Sequence, residues 1–213
     1  MQRADGRVPG KARPVEITRH WTKAVPGSVL YRCGRTLVFV TASIEDRVPP
    51  WMAGRGLGWV TAEYGMLPGS TKDRKGRSGP GGKVDGRTQE IQRLIGRTLR
   101  AVVDMKALGE RTVWLDCDVL EADGGTRTAS INAAYVALCD ALKGHEFKRP
   151  LERWPVREPV GAISVGIVNG RALHPYAQRG VVGTGEIVDA RVRHERLEAD
   201  HAACGQFLHL VEI

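Results

Sequence analysis

The chain has 213 residues, 42% hydrophobic, 26% charged and 6% aromatic, enough to bury one sizeable core without disulfides or metal staples. No run approaches the roughly 18 apolar residues of a membrane span, and the opening MQRADGRVPG lacks the apolar stretch of a secretory signal, so a cytoplasmic location is expected. The net charge of +8 is uneven: residues 1–100 hold 19 Lys/Arg against 8 Asp/Glu, and residues 101–213 hold 13 against 16. That asymmetry suits a polyanionic partner, whose phosphates attract clustered Lys and Arg, or else leaves a solvated basic face.

In chain order, residues 27–32 (GSVLYR) and 35–42 (RTLVFVTA) are two β-rich runs joined at Cys33-Gly34 as a hairpin, and Pro49-Pro50 ends that unit. Residues 68–87 (PGSTKDRKGRSGPGGKVDGR) are nearly free of large apolar groups, so they form no core and are expected to be an exposed loop. From Thr88 the apolar residues Ile91, Leu94, Ile95, Leu99 and Val102 follow helical spacing. Residues 111–120 (RTVWLDCDVL) read as a strand running into EADGGTR. A second helix follows, with Ile131, Ala134, Tyr135, Leu138 and Leu142 as its buried stripe and Gly144 as its stop. Residues 160–168 (VGAISVGIV) read as a buried strand with a turn at Asn169-Gly170. The pattern is α+β in a single domain. The four cysteines form no CxxC pair, so they are read as reduced packing residues.

The segment DGGTRTAS, residues 123–130, sits between a strand and a helix. Its two glycines let the backbone approach a ligand, the helix start offers unpaired N–H donors, and Arg127 adds a planar cationic fork suited to phosphate oxygens. Thr126, Thr128 and Ser130 supply hydroxyls in the same turn. The plainer alternative is an ordinary helix start with Thr caps and a surface Arg. The spacing is not that of a Walker A loop. Arg87 begins the other helix, so a second cation can reach the same anion if the fold brings them together. Asp116 and Asp118, two apart on a strand, share one face. They are either a metal or acid–base pair, or edge or interface charges paired with Arg; the second reading is preferred. His194, His201, Cys204 and His209 have zinc-compatible side chains but no recognised ligand spacing, so no metal site is assigned.

Four segments, SIEDRVPP (43–50), GWVTAEYGMLP (58–68), GRTQEIQRLIGR (86–97) and DCDVLEADGGTRTAS (116–130), closely resemble ribonuclease PH, and the likeness runs in order from about Asp5 to about Gly170. The resemblance implies a phosphorolytic 3′-to-5′ exoribonuclease that trims tRNA 3′ ends, releases nucleoside diphosphates and adds nucleotides in reverse. It further implies a β-α-β-α fold with a left-handed crossover and a homohexameric ring, a trimer of dimers, acting on tRNA and other RNA 3′ ends, rRNA among them. Inorganic phosphate would be the co-substrate, held by Arg87, Gly125, Thr126 and Arg127, and Mg²⁺ would assist. The basic loop and its neighbours Arg47, Arg55, Arg74, Lys75 and Arg77 would guide the RNA backbone. The aromatic content of 6% speaks against extended base stacking as the main source of affinity.

The resemblance covers residues 1–170 as a ribonuclease PH-like domain and leaves residues 171–213 as an atypical C-terminal tail. Family members continue after the AISVGI strand with LDLxYxEDxxAExDxN, whose aspartates are assigned to catalysis or metal binding. This chain reads RALHPYAQRG, and aligned on Pro175-Tyr176 the two acidic positions fall on Leu173 and Arg179. No catalytic residue is therefore assigned. A reading-frame change near codon 171 would account for the abrupt loss of likeness. The alternative to an active enzyme is a silent RNA-binding or ring-forming remnant that keeps the phosphate pocket.

Overall fold

The computed structural model describes residues 6–8, 11–76, 84–168, 171–173 and 187–189. Strands β1 (Val15–Arg19), β2 (Gly27–Cys33) and β3 (Thr36–Glu45) precede a 3₁₀ turn at Pro50–Met52 and strand β4 (Trp59–Met66). Helices α1 (Gly86–Val102) and α2 (Met105–Leu108), strand β5 (Thr112–Glu121) and helix α3 (Thr126–Gly144) follow, then β6 (Ile163–Val168), β7 (Arg171–Leu173) and β8 (Ile187–Asp189). Among the described residues, no helix is long and apolar enough to cross a membrane.

The main sheet has the order β1-β2-β3-β5-β4. Every pairing in it is antiparallel except β4 with β5, which run parallel from Trp59 opposite Thr112 to Met66 opposite Val119. Parallel neighbours need a crossover, and α1 supplies it. The expected β-α-β-α unit is therefore β4–α1–β5–α3. The β2–β3 turn lies one residue later than the sequence suggests, at Gly34-Arg35, with Cys33 paired to Thr36. Gly34 has φ 61°, which a two-residue hairpin turn of the II′ kind requires at its first position.

Alternation along the strands sorts the sheet into two faces. Val29, Tyr31, Val38, Val40, Val60, Ala62, Tyr64, Val113, Leu115 and Val119 point inward and are buried against α1 and α3. Helix α1 contributes Ile91, Ile95, Leu99 and Val102, as its spacing predicts. Helix α3 differs from its expected single stripe, because every residue from Thr128 to Leu142 is buried. One side lies on the sheet and another is closed by the segment leading to β6. There Asn132 donates through its amide nitrogen to Ala162 O at 2.9 Å and to the Tyr31 hydroxyl at 3.2 Å, while its oxygen accepts from Ala162 N at 2.7 Å.

The second sheet is β7-β6-β8, antiparallel throughout, with Leu173 opposite Gly166 and Val168 opposite Arg171. The expected turn at Asn169-Gly170 lies outside the described residues, as do Arg179, the four His and Cys positions from His194 to His209, and Arg77 of the basic loop. The described part of that loop is less detached than its composition suggests. Ser70 is buried and its carbonyl accepts from Ala122 N at 2.8 Å, which ties the loop to the end of β5.

Candidate functional site

Helix α3 starts without a side-chain cap. Its N-cap, Gly125, adopts φ 72°, ψ 21°, and Gly124 precedes it at φ 83°, so two successive residues occupy the left-handed region that glycine tolerates. The threonines do not cap the helix in the way the plainer reading supposes. The Thr128 hydroxyl donates to the Gly125 carbonyl at 3.0 Å, and the Thr126 hydroxyl accepts from the Tyr64 hydroxyl at 2.9 Å. Ser130 is buried and unavailable to a ligand. Among the described residues, then, no side chain caps the N–H cluster where the helix dipole is positive, and such a cluster favours an anion.

The turn is held from below. Arg13, nearly buried, reaches Asp123 O at 2.6 Å and Asp123 Oδ2 at 3.2 Å. The Thr36 hydroxyl donates to Gly124 O at 2.7 Å and accepts from Asp123 N at 3.0 Å. These contacts tie one oxygen of the Asp123 carboxylate to Arg13 and hold the Gly124 carbonyl in place.

Arg127 projects from the first turn of α3 and lies 3.7 Å from Glu90 of α1. Arg87, exposed, sits in the first turn of α1, whose N-cap Asp85 accepts from Thr88 N at 2.7 Å. Tyr64 of β4 lies between the two helix starts. Burial holds its hydroxyl above the ordinary tyrosine range, and its hydrogen bond to Thr126 and the charges of Arg87 and Arg127 pull in the opposite direction. The Tyr64–Thr126 bond and the Arg127–Glu90 contact set the start of α1, which carries Arg87, beside Gly125, Thr126 and Arg127, and they add Tyr64, which sequence reasoning did not single out as a site residue.

The basic residues divide between the ends of the sheet. Arg74 and Lys75 are exposed beside this site, Lys75 close enough to Asp85 to lower its pKa further below the carboxylate range that its hydrogen bonds to the helix start already set. Arg47 and Arg55 lie at the opposite end, where β4 and β5 begin. Arg47 is paired with Glu45 at 2.8 Å, and its backbone oxygen accepts from Thr112. Arg55 follows the 3₁₀ turn, its N–H donating to Met52 O.

Asp116 and Asp118 lie on the outer face of β5, a central strand rather than an edge, and among the described residues neither joins an ion pair with arginine. Their neighbour is Glu63 of β4, directly opposite Asp116. Burial raises the pKa of all three carboxyls, and the charge of Asp116 raises Glu63 further, as that of Asp118 does Asp116. Among the described residues no three His, Cys, Asp or Glu side chains gather to hold a metal ion. The carboxylates beside the anion site are already engaged, Asp123 by Arg13 and Glu90 by Arg127.

Residues 11–143 match the model of the 3′ exoribonuclease family, domain 1. Among solved structures, the chain is similar to rice (Oryza sativa) Rrp46 at 18% identity and TM-score 0.63, covering 98% of this chain and 94% of that one. It is also similar to a chain of the Archaeoglobus fulgidus exosome with RNA bound to the active site, at 21% identity and TM-score 0.68, covering 99% of this chain and 88% of that one. A chain of an archaeal exosome core gives 20% identity, TM-score 0.65, and coverage of 99% and 86%.

Proposed function

The chain belongs to the ribonuclease PH family of 3′ exoribonucleases, and on that premise we propose that it is a phosphate-dependent 3′-to-5′ exoribonuclease of RNA 3′ ends, tRNA among them. The observation that carries the proposal is the meeting of the two helix starts: Tyr64 donates to Thr126 at the uncapped start of α3, and Arg127 there lies 3.7 Å from Glu90 on the helix whose first turn carries Arg87. Inorganic phosphate held by the two guanidiniums and the first-turn N–H groups would present an oxygen to the phosphorus of the last internucleotide link. A new P–O bond forms in line, and the bond from that phosphorus to the 3′ oxygen of the preceding nucleotide breaks. The terminal nucleotide leaves as a 5′-diphosphate, and the shortened strand keeps its 3′ oxygen, which takes up a proton. The same positive charges oppose the negative charge that builds during the exchange. Run backwards, the geometry adds a nucleotide and releases phosphate.

Among the described residues no three donors gather to hold a Mg²⁺ ion, and the carboxylates at the pocket, Asp123 and Glu90, face Arg13 and Arg127. Residues 1–170 are taken as the body that carries this chemistry and residues 171–213 as a departing tail. RNA binding and assembly into a ring, six copies being the family arrangement, extend the same reading.

One observation favours a second reading. Leu173, the residue at one of the family's two acidic positions, lies in β7 opposite Gly166, and it has no carboxylate to offer. A chain lacking that chemistry would bind RNA, or join a ring, without turnover. The decisive assay follows nucleoside diphosphate release from a tRNA with a 3′ extension, with and without phosphate, for wild type beside Arg127→Ala. Phosphate-dependent release reduced about 100-fold in the variant supports the enzyme. Salt-sensitive RNA binding without release supports the remnant.

A further inference from the structure

The pocket accounts for one end of α1, and the other end carries a different set of residues. Because α1 returns antiparallel to β4, its last turns lie beside Trp59 at the start of that strand. Arg100 donates to Val60 O at 2.8 Å and lies over the Trp59 ring at 4.5 Å from its centroid. Trp51 of the 3₁₀ turn meets Trp59 edge-on, centroids 4.9 Å apart, and is 55% exposed. Trp21 and Trp154 are comparably exposed, but among the described residues Trp51 is the exposed tryptophan that meets a second indole, itself covered by a guanidinium.

Between the two ends, Arg93 and Arg97 stand one helical turn apart on the solvent face of α1. They line an open groove with Gly86, Gln89, Glu90 and Leu94. Among the described residues neither arginine joins an ion pair or a hydrogen bond, whereas Arg13, Arg19, Arg35, Arg47 and Arg111 are all paired with carboxylates. From Arg87 to Arg97 the helix rises about 15 Å. At roughly 3.4 Å per phosphate of a stacked strand, that length serves on the order of four nucleotides.

We propose that the outer face of α1 is a single-stranded RNA track, leading from the phosphate pocket along Arg93 and Arg97 to a base-stacking platform formed by Trp51 on Trp59. The proposal rests on the reading of the chain as a protein acting on RNA 3′ ends. Spaced guanidiniums followed by an aromatic face are what a polynucleotide without fixed sequence requires, since each base offers a π-face and each link a charge. The track also gives a place to Arg55, which lies far from the pocket but directly after the tryptophan-bearing turn.

The test uses the full chain and fluorescein-labelled oligouridylates of three and twelve nucleotides, read by anisotropy, with inorganic phosphate binding measured in parallel by calorimetry. Trp51→Ala should weaken the twelve-mer about tenfold and leave the three-mer within twofold, and Trp51→Phe should restore most of the loss. Arg93→Ala with Arg97→Ala should lower the slope of log affinity against log salt by about 1.4. Trp51, Arg93 and Arg97 are all exposed, so the fold should survive, which circular dichroism checks. Twelve-mer affinity unchanged in both variants while phosphate still binds would overturn the track and leave the pocket standing. Trp51-dependent binding of the twelve-mer without any phosphate binding would support the track and overturn the pocket. A Trp51→Ala chain that changes its oligomeric state but not its RNA affinity would make the patch a subunit contact and overturn the proposal, as would failure of the wild type to bind the twelve-mer.

Discussion

Helix α1 buries five of its 17 residues, on one stripe, whereas α3 buries every position from Thr128 to Leu142. Their starts are neighbours, since Arg127 of α3 lies 3.7 Å from Glu90 of α1, and each carries an arginine in its first turn. Their surroundings differ. Helix α3 is enclosed between the main sheet and the segment carrying Ala162, and Gly27 of β2 approaches it so closely that an added Cβ would meet Ala137 O at 2.1 Å. Helix α1 caps the edge of the sheet at β4 and keeps a charged face in water. An enclosed helix can fix a ligand-binding turn rigidly, and an edge helix can present a surface along which a long ligand lies.

The largest effects should follow from breaking the enclosed helix. Ile131→Ala should cost about 3–4 kcal/mol, since Ile131 is fully buried and its neighbours are held on both sides. Arg93→Ala on α1 should fall within about 0.5 kcal/mol. Urea denaturation of the two variants measures the contrast, and equal losses would erase it.

A second test concerns how α3 is tied to the sheet edge. Arg19 of β1 holds the fully buried Asp140 carboxylate through Nε at 3.0 and 3.1 Å and through Nη2. Arg19→Ala should cost about 3 kcal/mol, because it leaves a buried charge without its partner. Adding Asp140→Leu should recover most of that loss, measured by the same denaturation.

The smallest effect lies on the outer face of the sheet. Folding raises the pKa values of Glu63, Asp116 and Asp118, chiefly by burial. A carboxyl whose folded pKa is raised binds more protons in the native state than in the unfolded one, so its contribution to stability grows as pH falls through about 4 to 5. Asp116→Asn should therefore stabilise the chain at neutral pH by no more than about 0.5 kcal/mol and reduce that gain on acidification. Thermal unfolding from pH 7 to pH 4 checks both the sign and the window.

The same contrast explains which parts of the molecule the sequence makes legible. Ile91, Ile95 and Leu99 announce α1 because a helix with one wet face prints its period on the chain. The single stripe assigned to α3 understates it, since a helix covered on several sides has no polar face to mark the others. Strand β1, VEITR, escaped notice because five residues at a sheet edge carry only Val15 and Ile17 as an apolar signal, and α2, MKAL, is too short to show a period. The glycines and Arg127 of the α3 turn are adjacent in sequence and readable as a unit. Their union with Arg87 and Tyr64 depends on the parallel pairing of β4 with β5 across α1, a long-range fact with no local signature. The Trp51, Trp59 and Arg100 stack is hidden for the same reason.

The central claim is that the two helix starts together form a phosphate site, and calorimetric titration of inorganic phosphate into the RNA-free chain tests it most directly. Wild type should bind saturably, and Arg87→Ala and Arg127→Ala should each weaken binding at least tenfold, by about 1.4 kcal/mol or more. No saturable binding by wild type, or equal binding by all three proteins, would contradict the account.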